Sequence, residues 1–247
     1  MMGTVAVQTV PATHNRPASS QPLPLENGDR LTRGEFERRY AARPDLKKAE
    51  LIEGVVYMPS PVRATGHSRP HATIMWWLGT YGAATPGVWA DDNATVRLDL
   101  DNEPQPDAML SIDPNAGGRA RLSADDHVEG APELIVEIAA SSAAIDLHDK
   151  LHAYRRNGVQ EYVVWRVLDR QIDWFVLSDS EYRLLPPDAS GVIESRVFPG
   201  LRLAVDALLR GDTARVLVEL QNGLKTPRHA TFAERLRSAG RTTGQGP

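Results

Sequence analysis

An almost wholly apolar run, Glu133-Leu134-Ile135-Val136-Glu137-Ile138, is the feature that most limits how this chain can fold. The run follows Gly130-Ala131-Pro132, a typical loop sequence. A segment of this kind predicts a buried strand. A carboxylate at Glu137 in such a strand costs several kcal/mol unless something pairs with it, so the strand predicts either a bound metal or a structural cation nearby.

The pattern of apolar residues around this strand predicts an α/β domain. Helices are expected over 32–42, 70–83, 143–157 (with Gly158 as the C-cap) and 204–220, and strands over 50–58, 87–100, 105–112, 133–139, 161–167, 171–177, 182–185 and 194–198. The core order is helix, three strands, helix, strand, or αβββαβ. We therefore expect a mixed central sheet flanked by helices, with extra strands at both ends.

The two ends of the chain differ in composition from its middle. Residues 1–28 are rich in Pro, Thr, Ser, Gln and Asn without periodicity, which predicts a disordered tail. Residues 222–247 carry several basic side chains and have Gly and Thr among their last residues, which predicts a basic, flexible tail. A single domain is expected between them, over residues 29–221.

Composition excludes several classes of protein. The chain has no cysteine, so disulfides, thiolate zinc sites and cysteine nucleophiles are excluded. It has no apolar run of membrane-spanning length and no signal-peptide pattern, so we expect a cytoplasmic protein with no membrane partner. The net charge of −4 gives no overall attraction to nucleic acid, so any such binding must be local.

Two carboxylates and a lysine on neighbouring core elements predict a hydrolytic metal site. Asp107 follows Pro106 at the start of one predicted strand, Glu137 lies in the next, and Lys150 lies on the following helix. The two carboxylates and the carbonyl of Ile138 are the hard oxygen ligands that Mg²⁺ prefers, with Mn²⁺ as a substitute. Lys150 is expected to orient or help deprotonate the attacking water.

Each of these residues also has a simpler interpretation. Asp107 is also consistent with a residue that caps a turn. Glu137 is also consistent with a buried carboxylate that pairs with a structural arginine. Lys150 fits an exposed helix pair with Asp146, four residues earlier.

Glu53 and His67 are auxiliary candidates. Glu53 fits either a further acidic member of the site or a solvent-facing strand residue, and it is preferred to Glu50. His67 fits either a group that contacts substrate phosphate or assists proton transfer, or a helix-entry residue. Its spacing from His71 is that of a zinc-protease helix, but Pro70 intervenes and no Glu follows His67, so that class is excluded.

The ordered set of motifs resembles the PD-(D/E)XK nuclease superfamily, and more narrowly its Uma2 family of restriction endonucleases. The resemblance covers about residues 30–205 and rests on blocks in family order: Glu50-Leu51-Ile52-Glu53-Gly54, Pro59-Ser60-Pro61 with His67, Gln105-Pro106-Asp107, the run 130–138, the helix segment 146–154 and Asn157–Tyr162. Three positions depart from the family pattern: Gln105 stands for an arginine, Ala140-Ser141-Ser142-Ala143 for Ser-Pro-Ser-Thr, and Trp165-Arg166 for Val-Asp.

The resemblance implies a restriction-endonuclease-like fold, a divalent metal and DNA as substrate. It also implies a lysine on the helix rather than two residues after the glutamate, which agrees with Ala139 at that position. The leading hypothesis is a Mg²⁺-dependent DNA endonuclease that acts as a homodimer, since two-fold symmetry matches two sites to two strands. The alternatives are a catalytically silent nuclease-fold module for binding or assembly, and a nuclease for RNA or branched DNA.

Overall fold

A computed structural model describes residues 22–58 and 63–243. The strands are β1 (Glu50–Ile52), β2 (Val55–Tyr57), β3 (Val88–Asp92), β4 (Val96–Arg97), β5 (Ala108–Ile112), β6 (Arg121–Leu122), β7 (Val128–Glu129), β8 (Leu134–Ala139), β9 (Glu161–Arg166), β10 (Gln171–Ser178), β11 (Glu181–Leu184), β12 (Val192–Glu194) and β13 (Arg202–Ala204). The helices are α1 (Arg33–Ala41), α2 (Arg69–Ala84), α3 (Ala143–Leu147), α4 (Asp149–Asn157), α5 (Val205–Arg210), α6 (Thr213–Leu224) and α7 (Pro227–Thr243). A π-helical turn, Ala64–Ser68, leads into α2.

A six-stranded mixed sheet in the order β11-β10-β9-β8-β5-β3 forms the centre of the fold. Strands β8 and β9 are parallel and every other neighbouring pair in this sheet is antiparallel. The parallel pair needs a crossover, which α3 and α4 supply. All six residues of β8 are buried, as its apolar sequence predicts.

Helices cover both faces of this sheet. On one face, side chains of α2, α6 and α7 belong to the same hydrophobic core cluster as Leu110 and Val136. On the other face, Tyr154 of α4 packs against Met109 and Ile135. Because side chains alternate along a strand, Asp107 and Glu137 belong to the α4 face, with Met109 and Ile135. The elements α2, β3, β5, β8, α3–α4 and β9 follow the predicted αβββαβ order, so the predicted fold class is confirmed.

A separate hairpin, β1–β2, packs with α1 around Phe36 and Leu51. Its turn is Glu53-Gly54, and both residues have positive φ, 50° and 73°. Gly adopts this conformation freely, whereas Glu53 adopts it at some cost.

The structure changes several local predictions, among them the helix predicted over 204–220, which divides into α5 and α6. The helix predicted over 143–157 is interrupted at His148, whose φ of −122° and ψ of −81° are not helical. The strand predicted over 87–100 divides into β3 and β4. Strand β4 joins β6 and β7 in a three-stranded sheet, and β6 and β7 lie between the strands predicted over 105–112 and 133–139.

The predicted tails are also partly wrong. Leu25 is buried against the α1 cluster, so ordered packing starts before residue 29. Residues 227–243 form α7, and Phe232 and Leu236 belong to the main core, so the C-terminal segment is not a flexible tail. Residues 1–21, 59–62 and 244–247, including the loop Pro59-Ser60-Pro61, lie outside the described residues. In the part of the chain that is described, no helix combines the length and apolarity needed to cross a membrane.

Candidate active site

Asp107 lies where strands β5 and β8 separate. Their pairing ends at Ala108 opposite Val136, and Pro106, which has no N–H, cannot extend it. Beyond this point a side chain replaces the backbone pairing: Oδ2 of Asp107 accepts a hydrogen bond from the backbone amide of Ile138 at 2.8 Å. The amide and carbonyl of a strand residue point to the same side, so the carbonyl of Ile138 faces the same edge as Asp107.

Glu137 has two buried donors. Its Oε1 accepts hydrogen bonds from Lys150 Nζ at 2.9 Å and from the Tyr154 hydroxyl at 2.8 Å. Both donors lie on α4, which crosses the face of β8 that carries Glu137. The partner of Glu137 is therefore a lysine, not a structural arginine.

Lys150 sits among three carboxylates. Its Nζ lies 2.9 Å from Oε1 of Glu50, 2.9 Å from Oε1 of Glu137 and 3.9 Å from Oδ1 of Asp146. All four side chains are buried, so the interpretation of Lys150 and Asp146 as an exposed helix pair is wrong.

The charge on Lys150 is fixed by these neighbours. Burial lowers the pKa of Lys150, but Glu137, Glu50 and Asp146 together raise it well above the ordinary value. Lys150 therefore stays an ammonium, which donates hydrogen bonds and accepts none. This arrangement favours the predicted orienting role over the predicted proton-accepting role.

The cluster carries more negative than positive charge. Burial, together with the charges of Asp107, Asp146 and Glu50, raises the pKa of Glu137 to about 8, even though Lys150 opposes the shift. Asp146 shows the same direction, and burial is the main cause. A further cation would relieve this excess of carboxylates.

Glu50 occupies the place that the sequence assigned to Glu53. Besides Lys150, Oε1 of Glu50 accepts a hydrogen bond from the Gln105 amide at 2.8 Å. The Glu53 carboxylate instead pairs with Arg156 at 3.2 Å, away from the cluster. The structure therefore brings Glu50 and not Glu53 to the cluster, because the turn carries Glu53 past the buried part of β1. A signal was present: like Glu137, Glu50 lies in a short apolar strand segment.

His67 contacts the site from the π-helical turn. Its Nε2 lies 3.1 Å from Oδ1 of Asp107, as the prediction of an auxiliary role requires. Burial raises the pKa of Asp107, but the hydrogen bond and charge of His67 and the charge of Lys48 hold it below its usual value. His71, which the sequence did not single out, lies with its Nε2 2.7 Å from the Asp107 carbonyl.

Three further residues belong to the cluster, and the sequence does not predict them as site residues. Asp146 accepts a 2.6 Å hydrogen bond from Ser142, Tyr154 contacts Glu137, and Lys48 Nζ lies 3.8 Å from Oδ1 of Asp107. Asp146 and Tyr154 stand four residues before and after Lys150, so they share its face in the continuous helix that the sequence predicts. That spacing was the available signal.

The donor set fits Mg²⁺ by its chemistry. Within residues 22–58 and 63–243, no group of three or more His, Asp or Glu side chains is placed to hold a metal ion. Mg²⁺ does not need one, because it keeps several waters and is held by one or two carboxylates. The carboxyl groups of Asp107 and Glu137 and the carbonyl of Ile138 are oxygen donors of this kind, and the excess of carboxyl groups over cations favours a bound cation.

Comparison with known proteins agrees with this fold. Among solved structures, the chain is similar to a "putative nuclease belonging to DUF820" from Anabaena variabilis ATCC 29413, with a TM-score of 0.51 and 13% sequence identity. The similarity covers 66% of this chain and 89% of that one, and it shows a shared fold. No curated protein matches the chain. A family model described as "Putative restriction endonuclease", Uma2, matches residues 33–206, and the chain belongs to this Uma2 family.

Proposed function

We propose that this chain is a Mg²⁺-dependent endonuclease that hydrolyses phosphodiester bonds in DNA. Membership of a family described as restriction endonucleases supports nuclease activity. One observation carries the proposal further: Glu137 and Lys150 are buried in contact at 2.9 Å, on the sheet face and near the strand end that Asp107 shares. A buried group of this kind, with excess negative charge, is typical of a functional site.

Each residue has a role that follows from its contacts. Asp107, Glu137 and the Ile138 carbonyl would hold Mg²⁺, which when bound neutralises phosphate charge and lowers the pKa of water. Lys150 donates hydrogen bonds and orients the attacking water near the scissile phosphate. Glu50 and Asp146 hold the ammonium in place, and Tyr154 fixes the Glu137 carboxylate.

His67 positions Asp107 from the solvent side of the site. Its side chain is about one-fifth exposed, whereas the Asp107 side chain is almost wholly buried. His67 contacts Oδ1 of Asp107, and the Ile138 amide donates a hydrogen bond to Oδ2. Because each oxygen has its own partner, the Asp107 carboxylate is held in one orientation. Glu53 has no role in this proposal, because its carboxylate contacts Arg156.

The test is nicking of supercoiled plasmid with Mg²⁺ or Mn²⁺, for the unmodified protein, Asp107→Ala and Lys150→Ala. We expect nicking by the unmodified protein and its loss in both variants, with no nicking in EDTA. If all three proteins behave alike, the site assignment is wrong. Absence of both nicking and a metal-dependent rise in melting temperature would support the silent-module alternative.

Homodimerisation stays a prediction. Cleavage of both strands at one position requires two sites related by two-fold symmetry, or sequential nicks by one site. Sedimentation of the purified protein with and without duplex DNA would separate these two routes.

A further inference from the structure

The acidic site is bordered by a segment that contains no acidic residue. Between Gly54 and Ala90 the sequence has no Asp or Glu, although the chain has 32 of them. The same segment contains Arg63, His67, Arg69 and His71. A polyanionic substrate must approach a site rich in carboxylates, so its phosphates need cations close to that site.

Two stretches of chain bring side-chain nitrogens to Asp107. From one side, Lys48 Nζ lies 3.8 Å from Oδ1 of Asp107. From the other side, His67 Nε2 lies 3.1 Å from the same oxygen. Arg63 accepts the amide hydrogen bonds of His67 and Ser68 at 2.9 and 3.1 Å, so it begins the turn that carries His67. Arg69 ends that turn and is the first residue of α2.

Three cations near this segment and near Lys48 have no acidic partner among the described residues. Lys47, Arg63 and Arg69 are exposed. No Asp or Glu of the described chain lies within ion-pair distance, 4.0 Å, of any of them. This differs from the many arginines that are neutralised by acids, such as Arg97 with Asp125 at 2.8 Å. The nearest exposed acid of strand β3, Asp92, already pairs with His71 at 3.0 Å.

We propose that Lys47, Lys48, Arg63 and Arg69 form a basic rim that binds the backbone phosphates of duplex DNA on either side of the scissile bond. This inference rests on the proposed function and adds the surface that recognises the substrate. The net charge of −4 means that the whole molecule does not attract DNA, so the rim supplies the attraction locally. Contacts to phosphates fix the position of the duplex and carry no sequence preference.

The experiment measures DNA binding without cleavage. A fluorescein-labelled DNA duplex is titrated in EDTA over a series of salt concentrations, and anisotropy gives Kd. The test variant is Arg63→Ala/Arg69→Ala. The matched control is Arg196→Ala/Lys225→Ala, which also removes two exposed cations that have no acidic partner among the described residues. Arg196 lies near Pro199, which contacts Tyr81 towards the far end of α2, a helix about 24 Å long.

We expect the test variant to raise Kd by about tenfold and to lower the slope of log Kd against log salt by about one to two, because each lost phosphate contact removes about 0.9 from the slope. The control should stay within about twofold of the unmodified protein. Melting temperatures should be unchanged in both variants, since the removed side chains have no ion pair.

Two results would contradict the proposal that the basic rim binds DNA: equal effects of the two double variants, or no DNA binding by the unmodified protein. Tighter binding of an RNA duplex of the same sequence would overturn the assignment to DNA. Failure of the proposed function would look different: the unmodified protein would bind DNA through the rim in EDTA but would not nick plasmid with Mg²⁺. Nicking with unchanged binding in the test variant would contradict the rim alone.

Discussion

At the scale of single residues, the site depends on one ammonium shared by several buried carboxylates. Lys150 contacts Glu50 and Glu137 at 2.9 Å each and lies near Asp146. A buried ion pair contributes little to stability compared with an apolar pair of the same size, but losing one partner is costly. Retaining such a cluster in the core is therefore an argument for function rather than for stability.

Replacing this ammonium should destabilise the protein in a pH-dependent way. We expect Lys150→Met to lower the free energy of unfolding by about 3–5 kcal/mol near about pH 9, above the pKa of Glu137, because three carboxylates lose their counter-ion. The pKa of Lys150 is raised in the folded state, so its contribution is fully present below about pH 10, the unfolded value. The loss should shrink near about pH 6, below the pKa of Glu137 of about 8, where the protonated form of Glu137 needs no counter-ion.

Urea unfolding at the two pH values measures this difference. Lys47→Met is the matched control, because Lys47 is exposed, and it should change stability by less than about 0.5 kcal/mol. Equal losses for Lys150→Met at both pH values would contradict the shared ammonium.

A second buried carboxyl group predicts a pH dependence outside the site. Burial, together with the neighbouring Glu37, raises the pKa of Glu103 to about 8, against the opposing charges of Arg97 and Arg33. A carboxyl whose pKa is raised on folding binds more protons in the folded state, so its contribution to stability falls as pH rises from about 4.5 to about 8. We expect Glu103→Gln to be more stable than the unmodified protein by about 1–3 kcal/mol above pH 8, and to lose this advantage near pH 5.

Thermal unfolding across this pH range tests the assignment. Glu26→Gln, at an exposed position, should leave the pH profile unchanged. Parallel profiles for Glu103→Gln and the unmodified protein would show that Glu103 does not titrate in this range.

At the scale of elements, the β1–β2 hairpin decides which glutamate reaches the site. Glu50 pairs across the hairpin with Tyr57, whose hydroxyl bonds Asp149 beside Lys150 at 2.8 Å. The hairpin is thus attached to α4 by two neighbouring contacts. Glu53 lies in the turn at the opposite end of β1.

This register predicts opposite outcomes for two similar substitutions. Glu50→Gln should slow plasmid nicking by about 10–100-fold, the range typical of residues that orient an active group. Glu53→Gln should keep the rate within about twofold, because its contact with Arg156 is partly exposed. Initial rates of nicking measure both, and a slower Glu53→Gln would mean that the hairpin register is wrong.

At the scale of the whole molecule, the features set by local sequence were predictable and those set by distant packing were not. The strand β8 and the C-cap at Gly158, with φ of 79°, follow from neighbouring residues. The break at His148 was not predicted, because the apolar spacing of α3 and α4 is continuous. Glu50 was undervalued, since its burial requires Gln105 and Lys150, which lie far away along the chain.

The C-terminal segment shows the same limit and gives a last prediction. Its basic composition indicated a tail, yet Phe232, Leu236 and Ala239 have helical spacing and pack against the main core. Leu236 is only 2% exposed. We expect Leu236→Ala to lower the free energy of unfolding by about 2–5 kcal/mol in urea, as the loss of a buried leucine does, whereas Arg237→Ala on the exposed side should cost less than about 1 kcal/mol. If Leu236→Ala is as stable as the unmodified protein, α7 does not contribute to the core of the domain that carries the site, and the prediction of a flexible tail is supported.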